Sequence, residues 1–249
     1  MSRFPPQLSS YLSIASYDIR EEILLALPPK EIFRICSQIE EFEIVCSRET
    51  FWKRVWLKWV SPQLPDVRDS SIQEIIYRRV KEAERLTTYY LLNKGALEGI
   101  LFYVIEALER GADVHFGKDS ALRHAAFAGH LHIVKYLVEK GANISALDDE
   151  ALREAASRGH LDIVKYLVEH GANISARQNK ALRWAARGGH LDVVRYLVEH
   201  GANIFDKNNA ALRRAAERGH FHVVDYLISL GADPRILDEI IPLTTDIMI

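Results

Sequence analysis

The sequence predicts an all-α protein in which a small helical module precedes a stack of short helical repeats. Three observations carry that prediction. Ala121, Ala151, Ala181 and Ala211 open four near-identical segments at a period of thirty residues. Within each segment apolar residues recur at helical spacing. Residues 17–60 carry helical apolar stripes but do not follow the thirty-residue rule.

In chain order, Ile19, Ile23, Leu24 and Leu27 make a stripe that Pro28-Pro29 stops. Ile32, Phe33, Ile35, Cys36 and Ile39 predict a second helix, and Phe42, Val45 and Cys46 a third element. Trp52, Trp56 and Trp59 then fall at i, i+4, i+7, a spacing that belongs to a core and not to a nucleic-acid surface, despite Lys53, Arg54 and Lys58 beside them. So short a module is below the size at which a core alone is comfortably stable, and it is expected to lean on a partner or on the repeats. After the link "SPQLPDVRDSS", Ser71 with Glu74 three residues later is a capping-box start. Ile72, Ile75, Ile76 and Ala83 form the apolar face of a helix that joins module to repeats.

Within a repeat, Leu152, Ala155, Ala156 and Gly159 place small apolar residues on one face of a first helix. Gly159 supplies the positive φ that ends it, and His160 turns into a second helix with Leu161, Val164, Leu167 and Val168 on a common face and Lys165 and Glu169 outward. Gly171 ends that helix. One such hairpin cannot bury its face alone, so the units are expected to stack. A degenerate unit, "YYLLNKGALEGILFYVIEALERGADV", precedes the regular ones; it keeps Ala96, Leu97, Leu108 and "ERGAD" but reads as lacking the Gly-His turn. Pro234 breaks the last unit, and a C-terminal cap is expected beyond it.

Totals exclude several function classes. Lys+Arg of 32 against Asp+Glu of 34 gives no bias toward nucleic acid. No run approaches eighteen apolar residues, and no secretory signal opens the chain, so a soluble intracellular, cytoplasmic protein is the expectation. Two cysteines, Cys36 and Cys46, point to a reducing compartment and not to a disulfide framework, with Cys36 a small apolar core residue. His130, His160, His190 and His220 are one repeat apart, about 10 Å for packed helices, whereas zinc needs nitrogen at about 2 Å. They read as turn residues. "GADVHFGKD" fails as a phosphate loop because Asp119 stands where Ser or Thr is required. No nucleophile sits with a base; no catalytic residue, metal site or cofactor is expected.

"GHLDIVKYLVEHGANI" resembles the ankyrin repeat, which implies antiparallel helix pairs followed by a projecting hairpin loop. Two departures stand out. Arg153, Arg183 and Arg213 occupy the position of the family's His in Thr-Pro-Leu-His, so the loop's usual hydrogen bonds need another source. The connection is also three residues shorter than the family's, predicting stubby fingers and recognition on the helical face. The columns that vary between units are the fourth, with His124, Glu154, Trp184 and Arg214, and the seventh and eighth, with Phe127-Ala128, Ser157-Arg158, Arg187-Gly188 and Glu217-Arg218. In the ankyrin family that surface binds proteins, and aromatics with arginines are interface anchors. His124, Phe127, Glu154, Arg158, Trp184, Arg187, Arg214 and Arg218 are therefore the candidate partner-binding groove.

The segment "EILLALPPKEIFRIC", a "VC" ten residues on and "FWKRV" together resemble the F-box. That resemblance implies docking on a Skp-type adaptor of a cullin ubiquitin ligase through Ile19, Ile23, Leu27, Pro28 and Ile32, with Val45, Cys46 and Trp52 in the module's core. Tyr17-Asp18 replaces the family's usual Leu-Pro. An F-box-like module before ankyrin repeats is similar to an arrangement of large DNA viruses and some intracellular bacteria, which would place the chain in a host cell. The expected organisation is a tail (1–16), an F-box-like module (17–60), a linker and connecting helix (61–88), a degenerate capping repeat (89–120), regular repeats at 121–150, 151–180, 181–210 and 211–240, and a tail (241–249). The expected function is a monomeric, non-catalytic adaptor that binds a target protein and a Skp-type adaptor, without nucleic acid or membrane. The competing expectation is a scaffold that holds its partner without a ligase.

Overall fold

The computed structural model describes residues 21–22, 24–38, 48–59 and 71–237. Ile19, Ile23, Phe42, Val45, Cys46 and the side chains of Phe33, Trp56 and Trp59 lie outside the described residues. Helices are the regular elements among the described residues, and the chain divides into two compact units, one ending at Ala112 and one beginning at Asp113.

The first unit holds α1 (Pro29–Gln38), α2 (Glu49–Trp59), α3 (Ile72–Arg85), α4 (Thr88–Glu98) and α5 (Leu101–Glu109). Leu24, Ile32, Phe51, Trp52 and Val55 are fully buried, and the Phe51 and Trp52 rings meet edge to face with centroids 5.1 Å apart. The Arg54 guanidinium ties α2 to Glu21 and Glu22. Cys36 is half-buried and disulfide-bonded in the structure, which corrects its reading as a small apolar core residue of a chain without disulfides. Ser71 caps α3 as its spacing predicts, accepting from the Glu74 amide at 3.2 Å. The buried face of α3 is Ile72, Ile76, Val80 and Ala83; Ile75, expected there, is only half-buried.

Residues 91–112 keep the thirty-residue period. Leu91, Leu92, Gly95 and Ala96 are buried where Ala121, Leu122, Ala125 and Ala126 are in the next copy, and Leu97, expected as an anchor, is 49% exposed. Gly99 ends α4 in the left-handed conformation, with φ 77°. The turn glycine is therefore present, and only the histidine is replaced, by Ile100. Tyr103 stands where later copies have Ile or Val, and Gly95 makes room for it: a Cβ there would lie 2.7 Å from the Tyr103 Cβ. The Tyr103 hydroxyl donates to Glu82 Oε2 on α3 at 2.7 Å; burial and that carboxylate push its pKa far up. With Lys94–Glu82 at 3.1 Å and Arg110 donating to the Ala83 carbonyl at 2.9 Å, α3 is docked onto the degenerate repeat.

The second unit stacks four helix pairs: α6 (Phe116–Ala128) with α7 (Leu131–Glu139), α8 (Ala146–Arg158) with α9 (Leu161–Glu169), α10 (Ala176–Gly188) with α11 (Leu191–Glu199), and α12 (Asp206–Glu217) with α13 (Phe221–Ser229). First helices pack against one another more closely than second helices do, because Ala155, Ala156 and their equivalents are small and fully or nearly buried. Ile163, Val164 and Leu167 fill the layer between the two rows at 0% exposure. Outside, cations lie over the next repeat's tyrosine: Lys135 over Tyr166, Lys165 over Tyr196 and Arg195 over Tyr226, at 5.7, 5.8 and 4.5 Å.

The recurring histidines have a packing role beyond the turn. Nε2 of His160, His190 and His220 lies 3.1, 3.1 and 3.0 Å from the carbonyls of Phe127, Ser157 and Arg187 in the preceding repeat. A carbonyl only accepts, so Nε2 carries the proton. These rings also explain a second constraint on the turn glycines. At Gly159 a Cβ would lie 2.5 Å from the His190 ring, whereas at Gly219 it would meet nothing within 4 Å.

The two departures from the ankyrin pattern turn out to be one device. Among the described residues the shortened connection is no hairpin finger; it is a single left-handed turn, Gly117–Asp119, Leu147–Asp149, Arg177–Asn179 and Lys207–Asn209, with φ between 49° and 61°. Successive left-handed residues are costly for L side chains, so something must hold them. The arginine of "ALR" does so from the right-handed part of the same element, just after the turn. Arg123 donates to the Gly117 and Lys118 carbonyls at 3.0 and 3.3 Å, Arg153 to Leu147 at 2.9 Å, and Arg183 to Arg177 and Gln178 at 2.9 and 3.2 Å. The third residue of the turn then links repeats. Oδ1 of Asp119, Asp149 and Asn179 accepts from the backbone N–H of Asn143, Asn173 and Asn203 at 2.8, 2.9 and 3.0 Å. All three acceptors are buried. At the last copy Asn209 Oδ1 is buried with no partner among the described residues.

Candidate protein-binding cleft

The variable columns emerge on the outer face of the first helices because Leu152, Ala155 and Ala156 turn the opposite face into the stack. Phe127, Glu154, Ser157, Arg158, Trp184, Arg187 and Gly188 from three consecutive first helices, with Arg218 at the C-terminal cap of the fourth, line one cleft of about 370 Å³. Six of the eight candidate residues meet there: Phe127, Glu154, Arg158, Trp184, Arg187 and Arg218. His124 and Arg214 do not line it. His124 is half-buried, and burial with the neighbouring Arg123 charge lowers its pKa. Arg214 is exposed and reaches Glu217 at 3.9 Å.

Cations and rings alternate across the cleft. The Arg158 guanidinium stacks on Phe127 at 3.9 Å from the ring centroid, and Lys180 lies 4.5 Å from that of Trp184. Stacking occupies the face of the Arg158 plane and leaves its in-plane N–H groups for a ligand. Among the described residues Arg158, Arg187 and Arg218 have no carboxylate partner. Burial raises the Glu154 carboxyl above the usual carboxylate range, with Glu150 adding to the rise while Arg153, Arg158 and Lys180 oppose it. Burial, then Arg153, Arg177 and Arg183, lower the Lys180 ammonium.

Sequence reasoning left three contributors out of the candidate set. Ser157 and Gly188 belong to the variable columns but are small, and small residues carry no interface signature by type. Lys180 precedes Trp184 by four residues, and that i, i+4 spacing was the signal available for it. Of the predicted adaptor-facing residues, Ile19 and Ile23 lie outside the described residues. Leu27 and Pro28 are half-buried at the helix break. Ile32 is at 0% exposure inside its own unit, so its apolar surface is already used. Val45 and Cys46 lie outside the described residues, whereas Trp52 is buried, as expected.

The profile of the ankyrin-repeat family matches residues 90–178 and 175–238, more than half of the chain. The chain belongs to the ankyrin-repeat family. No curated protein matches it. Among solved structures, the crystal structure of the human ASB11 ankyrin repeat domain is similar at 24% identity and TM-score 0.52, over 57% of this chain and 69% of that one. That likeness is one of fold. Ankyrin-repeat proteins are in general non-catalytic scaffolds that bind other proteins, and protein partners are the expectation for this one. No described helix is long and apolar enough to cross a membrane.

Proposed function

We propose that this chain is a non-catalytic scaffold that captures a target protein in the cleft across its four regular repeats. The observation that carries the reading is convergence: residues that differ from copy to copy, while the stacking residues stay constant, line a single cavity. Trp184 and Phe127 supply apolar anchors and three arginines supply hydrogen-bond forks, the composition of an interface centre. A photo-crosslinking residue at Ser157 is expected to capture a defined protein from cell extract, and the same residue at Lys165, on the second helices, to capture far less. Equal labelling from both positions would contradict the reading.

A second reading, on which the captured protein is handed to a cullin-type ubiquitin ligase, is favoured by the N-terminal break alone. Leu27 and Pro28 keep part of their apolar surface exposed between helical residues 24–25 and α1, while Leu24, Leu25 and Ile32 are consumed by the core. Such a break, with the "EILLALPP" pattern around it, suits docking onto a Skp-type adaptor. Co-purification decides it: the intact chain should retain that adaptor and Leu27→Asp should lose it. Retention of no adaptor by either form would leave the chain a scaffold that sequesters its partner.

A further inference from the structure

We propose that the cleft recognises an acidic segment of its partner, seated over Gly188 between the arginines of the flanking repeats. The inference deepens the protein-binding reading and rests on it. The eighth position of the repeat is Arg158 in one copy, Gly188 in the next and Arg218 in the one after, all three lining the cleft. The middle copy therefore omits the side chain that its neighbours carry, and the gap is flanked by a guanidinium on each side. Arg187, one residue before the gap, brings a third.

The charges of this site are unbalanced. Arg158, Arg187 and Arg218 form no ion pair among the described residues, Lys180 is committed to the Trp184 face, and Glu154 is the one carboxylate in the lining. Elsewhere in the same unit Arg123 pairs with Glu150 at 2.8 Å and Arg177 with Asp148 at 2.9 Å, while Arg183 donates to the turn carbonyls of Arg177 and Gln178. Guanidinium groups left unpaired in a concave, partly apolar setting favour carboxylates, which they grip in a bidentate fork. The rings of Phe127 and Trp184 add room for an apolar side chain next to the acidic one. The occupant so defined is an Asp- or Glu-containing peptide with an interspersed Leu or Phe.

Shape and charge make opposite forecasts for one substitution. Gly188→Arg completes the arginine row and adds positive charge, so a merely attractive surface would bind an acidic peptide better; a shaped site would be filled and bind it worse. A Cβ at 188 meets the His190 ring at 2.5 Å, so that ring must shift. Copies with Ala128 and Arg158 at this position carry the same histidine two residues on, and a thermal melt checks that the variant folds. The probe is a fluorescein-labelled ten-residue peptide alternating Glu or Asp with Leu or Phe, read by anisotropy against the full chain. Its Gln/Asn and Lys counterparts are run in parallel.

Saturable binding of the acidic probe is expected, weakened at least roughly tenfold for the Gln/Asn peptide and absent for the Lys peptide, as for loss of charge-assisted bonds. Gly188→Arg and Arg158→Ala/Arg187→Ala should each weaken it roughly tenfold or more with the melting temperature held. Equal affinity for the uncharged peptide, or tighter binding by Gly188→Arg, overturns the proposal. So does finding the site occupied by a second copy of the chain, seen as concentration-dependent self-association that the probe cannot displace. If the acidic probe fails while a crosslinker at Ser157 still captures a protein, the acidic assignment falls and the scaffold reading stands; if both fail, both fall.

Discussion

Asp149→Ala isolates the link between consecutive repeats. The Asp149 carboxylate is 4% exposed and accepts from the Asn173 amide at 2.9 Å, so alanine leaves a buried N–H without a partner, a loss of about 1–3 kcal/mol. Residue 149 is also left-handed, at φ 59°, a conformation that Asp and Asn tolerate better than alanine, adding about 1 kcal/mol. The expected total is about 2–4 kcal/mol by the sum of those two terms. Asn209→Ala provides the internal control. It sits at the same turn position with φ 57°, yet its Oδ1 has no partner among the described residues, so only the backbone term of about 1 kcal/mol is lost. Asp149→Asn keeps the acceptor, as Asn179 does naturally, and is expected to cost under about 1 kcal/mol. Urea melts give the global cost, and native-state hydrogen exchange at the Asn173 amide reads the broken bond directly. Equal costs for Asp149→Ala and Asn209→Ala, with Asn173 protection unchanged, would mean that the Asp149–Asn173 bond does not hold the repeats together.

Three further outcomes follow from the geometry. Gly159→Ala should destabilise more than Gly219→Ala in matched denaturant melts, because both are left-handed but only the first meets a histidine ring. Leu167→Ala, at a fully buried position, should cost about 2–5 kcal/mol. Glu154 titrates above its unfolded value, so the folded state holds the proton more tightly: its destabilising contribution is full above the folded pKa and vanishes as pH falls through the unfolded one. Glu154→Gln should therefore raise the melting temperature at pH 7 and leave it nearly unchanged at pH 4. A rise of equal size at both pH values would contradict burial as the cause.

Much of the stack was legible because its signal is redundant. Four copies repeat the same apolar columns, and the columns that fail to repeat had to be those that stacking does not need; six of eight candidate residues line the cleft for that reason. The left-handed turn was not legible. Leu147, Arg177 and Lys207 have no preference for positive φ, and the arginines that hold the turn lie six residues further along the same element. Only the substitution of Arg for His hinted that the loop was held differently. Gly188 was invisible for the opposite reason, since its contribution is the side chain it lacks. At the N-terminus, the apolar period located helices but could not say whether Ile32 faces a partner or its own core; the packing of α1 against α3 assigns it to the core.

Constant columns hold the stack while variable ones are left to bind. The most direct measurement of that division pairs affinity with melting temperature for Trp184→Ala/Arg158→Ala, using the protein captured through Ser157. Binding is expected to weaken by roughly a hundredfold, as for two anchors at an interface centre, with the melting temperature within a few degrees of the parent. Unchanged affinity, or a collapse in stability that accounts for the lost binding, would contradict it.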